Sequence, residues 1–167
     1  MNAHIPPQKP SSVTGIVSWS SKFEIGIPVI DAQHKKLVTL CNNLYKIITS
    51  MPASGPGSEA WHQSFFYALH ECVDYTKTHF HDEEVLMTAA KYGGLPQHKA
   101  RHTEFVKQVL ETAKSMEQPE KSAALQFVRF LYDWILSHIA LEDKQFAAPV
   151  FEYFKSQNAE SELAVKN

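Results

Sequence analysis

The chain has 167 residues, a length that suits one domain able to bury a sizeable core without disulfide staples. Sixteen basic and 18 acidic side chains leave a net charge of −2 with no long basic run, which argues against nucleic acid as a partner. No apolar stretch approaches the ~18 residues that cross a bilayer, and the opening MNAHIPPQKPSSVTG has no signal-peptide core, so a soluble, cytoplasmic protein without membrane insertion is expected.

Residues 1–16 lack hydrophobic periodicity and read as a flexible N-terminal arm. Gly15, Gly26 and Pro28 argue against helix in VSWSSKFEIGIPVI, which is expected to run extended into the first helix. Asp31 is a plausible N-cap for that helix, which places His34 in its first turn; Leu37, Val38, Cys41, Leu44, Tyr45 and Ile48 then repeat at helical spacing to about Thr49. SMPASGPGSE breaks the pattern. A second helix is expected from Trp61 to Ala90, ending at Gly93 and Gly94, with Phe65, Cys72, Tyr75, His79, Glu83 and Leu86 on one stripe. Pro96 suits the first position of a third helix running to about Met116 with His98, His102, Phe105, Val109 and Ala113 on one face. After QPEKS a fourth helix, Ser122 to Ala147, aligns Phe127, Leu131, Trp134 and His138, and Pro149 is expected to help end it before a short helical piece, FEYFKSQ. Without strand-like alternation and with short connections, the reading is an all-α, up-down-up-down four-helix bundle at residues 17–155, preceded by the arm and followed by a tail at 156–167.

Five histidines and two carboxylates, His34, His79, Glu83, His98, His102, His138 and Asp143, fall on the apolar stripes of these four helices. No helix carries a complete metal site, yet together they offer ligands for two ions. Any one pair at this spacing arises easily by chance, and the sequence holds a decoy in His70 and Asp74. At 3.6 residues per turn His70 lies about 180° from His79, so that pair reads as solvated. His81 and His62 read the same way, and His4 belongs to the arm. A lone histidine on an apolar face is more often a hydrogen-bonded core residue than a ligand. Five on converging helices reverse that preference, because unpaired buried imidazoles and carboxylates cost several kcal/mol each unless cations satisfy their lone pairs.

The segments that carry these residues, IGIPVIDAQHKKL, HFHDEEVLM followed by a tyrosine, HKARH followed by EF, and LYDWILSHIALED, resemble the helix motifs of the hemerythrin family, most nearly its single-domain bacterial members. The resemblance covers about Val17 to Phe154; a longer link between the first two helices, a longer link between the last two and the arm depart from the pattern without touching a ligand. It implies a non-haem di-iron cofactor: two iron ions, one held by His98, His102 and His138, the other by His34 and His79, with Glu83, Asp143 and a solvent-derived oxo or hydroxo oxygen bridging them. The iron with fewer protein ligands keeps an open position, where dioxygen would bind reversibly. Leu37, Trp134, Ile135 and Ile139 would line the oxygen pocket as a dry wall, although an ordinary core role accounts for the same four residues.

On residue chemistry, oxygen-activating di-iron bundles use carboxylate-rich sets with Glu-x-x-His pairs, and the inward-facing set here has none. Binding for transport, storage or delivery is therefore expected, and an enzyme is not. A second reading is an oxygen or redox sensor acting through a partner, for which no fused output domain is expected in this chain. A third is a di-iron oxidase, peroxidase or nitric oxide scavenger. The expected partners are dioxygen and a protein that takes delivery or relays a signal.

Two further expectations are geometric. On an ideal helix Glu142 points within about 40° of His138, whereas Asp143 lies about 140° round, so spacing alone favours Glu142 while the resemblance implies Asp143. Both hold if the helix carries a π-bulge between Ser137 and Asp143. Cys41 stands seven residues after His34 and Cys72 seven before His79, so the two should be neighbours in antiparallel helices, as small buried residues or as a redox pair.

Overall fold

The computed structural model describes residues 17–52, 58–114 and 120–164, with side chains to residue 157. The expected flexible arm at 1–16 lies outside the described residues. A 3-10 turn at Ser21–Phe23 leads to α1 (Pro28–Thr49), α2 (Glu59–Ala89), α3 (Leu95–Lys114) and α4 (Lys121–Ser137). A π-helical turn, His138–Glu142, continues α4 directly into α5 (Asp143–Ala164). The α4–π–α5 rod is one continuous helix in the bundle, and the up-down-up-down four-helix arrangement is the one expected.

Helix boundaries follow local chemistry, with three departures from the sequence reading. The first helix begins at Pro28, because proline's fixed φ suits an opening turn; Asp31, inside that turn, instead accepts the N–H groups of Ile25 (2.8 Å) and Gly26 (3.1 Å). The second helix ends at Ala89 without using Gly93 or Gly94. Lys91 takes the left-handed conformation (φ 51), with Lys91 N–H donating to Thr88 O and Tyr92 N–H to Met87 O, a Schellman closure built on lysine. Pro149 does not end the last helix, which runs on to Ala164, past residue 155. Proline removes one helical hydrogen bond at a cost of about 3 kcal/mol, and the buried Phe146, Ala147 and Val150 around it hold the rod in place.

Two apolar clusters bracket one level of the bundle. The larger includes Leu37, Cys41, Leu44, Phe65, Phe80, Phe105, Leu131 and Ile139; the smaller comprises Ile25, Ile27, Ile30, Met87, Phe146, Ala147 and Val150. Between Ile30 and Leu37 on α1 stands His34, between Phe80 and Met87 on α2 stands Glu83, and between Ile139 and Phe146 on the last rod stands Asp143. The polar layer is thus closed from both ends by core. Cys41 and Cys72 are neighbours, both buried, with sulfurs 3.8 Å apart and no disulfide. Contact with the Cys72 sulfur and burial push the Cys41 thiol well above its ordinary range, which keeps it protonated and unreactive.

Candidate metal centre

Helical spacing delivers the site. His79 and Glu83 are four apart on α2, and His98 and His102 four apart on α3, so each pair shares a face. His34 comes from α1, His138 from the junction of α4 with the π turn, and Asp143 from the start of α5. All seven are at most 5% exposed. The π turn is where it was expected: Asp143 N–H donates to His138 O five residues back. The wider turn brings Asp143 under His138, fully buried, and sends Glu142 outward to an ion pair with Arg101.

The two carboxylates divide their oxygens between two groups of imidazoles. Glu83 Oε1 lies 3.3 Å from His79 Nε2 and 3.6 Å from His34 Nε2, while its Oε2 lies 3.3 Å from His102 Nε2 and 3.6 Å from His98 Nε2. Asp143 Oδ2 lies 3.2 Å from His34 Nε2, and its Oδ1 is 3.0 Å from His138 Nε2 and 3.5 Å from His98 Nε2. Within the set Glu83, His98, His102, His138, and again within the set His34, His79, Glu83, Asp143, the ligand atoms all lie within 4.8 Å of one another.

His102 Nε2 and His138 Nε2 pair at 3.0 Å, but most of the other ligand atoms are close without satisfying one another. Both ring nitrogens of His34, Nε2 of His98 and all four oxygens of Glu83 and Asp143 are buried with no aligned hydrogen-bond partner. Each such group costs about 1–3 kcal/mol, and convergent lone pairs are what a cation satisfies. The donor set, imidazole with two carboxylates, suits first-row transition metals. Electrostatics point the same way. Burial disfavours charge on Glu83, but the imidazoles of His79, His102, His34 and His98 outweigh it and hold its carboxyl well below the usual range. Asp143 is likewise lowered, His138 and His34 overcoming burial and the Glu83 charge. Burial disfavours charge on His34 too, yet Asp143 and Glu83 raise it to about 9, whereas burial dominates at His79 and lowers it to about 4.

Six residues that the sequence reading did not single out surround the site. His79 Nδ1–H donates to Gln33 Oε1 (3.0 Å), and the Gln33 amide donates to Asp82 Oδ2 (2.6 Å). Because a carboxylate only accepts, the Asp82 contact fixes which way the amide faces and therefore which His79 nitrogen is protonated. His102 Nδ1–H donates to Glu84 Oε1 (3.2 Å), itself paired with Lys99. Both bonds aim an Nε2 lone pair at Glu83, the arrangement by which outer partners orient metal-binding imidazoles. Gln33 and Glu84 each stand directly beside a ligand in the chain, which is the signal that could have found them. Phe80 lies flat on His102, ring centroids 3.7 Å apart, and Trp19 approaches His34 at 6.5 Å.

Of the expected pocket residues, Leu37, Ile135 and Ile139 are fully buried in the main core. Trp134 is placed differently from a wall of the two-histidine side: half-buried, it stacks on His138 at 4.3 Å and on Phe105 at 3.9 Å, against the three-histidine group. His70 and His81 are exposed as expected. His62 is not fully solvated, since its ring packs edge-on against Trp61 and its Nε2 is buried. The chain's Glu59-x-x-His62 spacing lies in the first turn of α2, with Glu59 exposed and accepting from Gln63.

Residues 25–149 match the family described as Hemerythrin HHE cation binding domain. The chain is 32% identical to a bacteriohemerythrin of Stenotrophomonas maltophilia over 81% of its own length and 82% of that protein. It is 28% identical to a myohemerythrin of Sipunculus nudus over 75% of its length and 86% of the other. The crystal structure of a wild-type hemerythrin superposes with a TM-score of 0.67 at 22% identity, covering 81% of this chain and 98% of that one, a likeness of fold.

Proposed function

This chain belongs to the hemerythrin family, and we propose that its seven inward-facing residues hold two non-haem iron ions at which dioxygen binds reversibly, for carriage, storage or delivery. The observation that carries the reading is the division of the carboxylates, Glu83 and Asp143 each turning one oxygen toward the His98–His102–His138 group and the other toward His34 and His79. His98, His102 and His138 would hold one ion and His34 and His79 the other, with Glu83 and Asp143 shared. The two-histidine ion has fewer protein ligands, so a small molecule can complete it.

Iron, when bound, supplies the electrons by which dioxygen is taken up and returned. The chain's own residues set the conditions. Gln33 and Glu84 take the Nδ1–H of His79 and His102 and so leave each Nε2 aimed inward. Leu37, Ile135 and Ile139 keep the surroundings dry, which protects a bound small molecule from protons. With only two anionic side chains among seven ligands, the set favours highly oxidised metal less than a carboxylate-rich site would, so binding fits it better than oxidation.

The test is to reduce the iron-loaded protein anaerobically, admit oxygen and then remove it. A visible band that appears with oxygen and disappears on its removal supports the reading. Irreversible bleaching with consumption of a reductant would mark an oxidase instead. Iron content gives a second check: His79→Ala should empty the two-histidine position first, and His102→Ala should damage the other.

A further inference from the structure

The two halves of the site are walled differently. On the three-histidine half, Phe80 and Trp134 stack flat on His102 and His138, at 3.7 Å and 4.3 Å, and both are carried on long helices. On the other half, His34 meets His79 edge-on at 4.9 Å, Phe80 stands tilted 5.8 Å from His79, and the ring beside His34 is Trp19, tilted and 6.5 Å away. Trp19 stands outside the bundle helices, in the strap that precedes the 3-10 turn. It is half-buried and covers a histidine that is itself 0% exposed.

The strap is pinned at both ends. Upstream, Asn42 on α1 grips both main-chain groups of Val17: Val17 N–H donates to Asn42 Oδ1 (3.0 Å), and the Asn42 amide donates to Val17 O (2.9 Å). Tyr132 O–H donates to the same Asn42 oxygen. Downstream, Phe23 is buried in the main core, the 3-10 turn packs against the π turn, and Asp31 accepts the N–H groups of Ile25 and Gly26. Between these anchors the half-buried Trp19 ring packs at the edge of the main core and tilts against Phe23 (centroids 5.7 Å), and its polar contacts are a 3.4 Å hydrogen bond from its Nε1–H to Glu24 and the Lys35 ammonium 5.3 Å from its ring. Exposed polar contacts of this kind hold a side chain only weakly. Rotation of the indole therefore requires it to leave Phe23 and the edge of the core, while the backbone on either side stays fixed.

We propose that Trp19 is the access-controlling residue of the two-histidine position and that Asn42 is the positioning residue that holds it over His34. The inference rests on the di-iron reading above. An apolar ring over this half retards water and small anions, and its rotation admits them. A gate changes entry and exit alike, so it moves rates and leaves the equilibrium in place.

The experiment uses the full iron-loaded, oxidised protein with azide as probe, followed by stopped-flow absorbance. Trp19→Ala should raise the association and dissociation rates together by about tenfold, with Kd unchanged. Trp19→Phe should stay near the parent, and Asn42→Ala should shift both rates the same way by less. An independent readout is stripping of iron from the reduced protein by a chelator, which should be faster in Trp19→Ala than in Trp19→Phe. Parent-like rates in Trp19→Ala would overturn the gate. So would a changed Kd at an unchanged association rate, which would make Trp19 a direct contact of the ligand. A parent protein with fewer than two irons, or one that binds no azide, would sink the di-iron reading and this inference with it.

Discussion

At His34 the opposing forces on a single ring make a pH dependence that distinguishes ligand from core residue. Burial works against its charge, but Asp143 and Glu83 raise it to about 9 in the metal-free chain. A histidine whose pKa rises on folding contributes its full stability below its unfolded value of about 6.5 and loses it as pH climbs through the folded value. The melting temperature of metal-free protein should therefore fall from about pH 7 to about pH 9. Iron-loaded protein should lack this slope, because a nitrogen that gives its lone pair to a metal carries no proton; equal slopes in both forms would remove His34 from the ligand set. Glu84 permits a second test. Its bond to His102 is the contact that fixes that ring's Nδ1 proton, and such partners are worth about 10- to 100-fold in metal affinity. Glu84→Ala should lose affinity on that scale while folding normally, and undiminished affinity would make the contact incidental.

At the scale of the element, the π turn and the end of α2 depart from helical regularity for different reasons. A π turn is an α-helix with one residue added, so His138 and Asp143 stand one turn apart at a spacing of five. Deleting the exposed Leu141 should return the segment to α-helix, with those two residues four apart and still facing inward. That variant should keep two irons per chain, whereas Glu142→Asp combined with Asp143→Ala should not bridge. The reverse pattern of iron contents would show that Asp143 owes its position to something other than the wide turn. At the end of α2 the left-handed Lys91 carries the steric cost of about 1–2 kcal/mol that a non-glycine residue meets there. Lys91→Gly should raise the unfolding free energy by about 1 kcal/mol in chemical denaturation, and a drop would mean that the lysine side chain stabilises the closure.

Across the whole molecule, what could be read in the sequence was what repeats along a helix. The stripe positions of His34, His79, Glu83, His98, His102 and His138 and the approach of Cys41 to Cys72 follow from 3.6 residues per turn. The turn that admits Asp143 was legible as a conflict between spacing and family pattern. What was hidden depends on contacts between segments distant in sequence. Gln33 meets His79 across 46 positions. Trp19 reaches His34 only because Asn42 and Asp31 pin an irregular strap. The side on which Trp134 lies is set by its stacking on Phe105 of α3, and Pro149 stays helical because the core on either side holds the rod. The most direct measurement of the central claim is anomalous diffraction at the iron edge from crystals of the loaded protein. It should give two peaks, one among His98, His102 and His138 and one beside His34 and His79, both touched by Glu83 and Asp143. A single peak, or a pair flanked by Glu142 instead of Asp143, would contradict it.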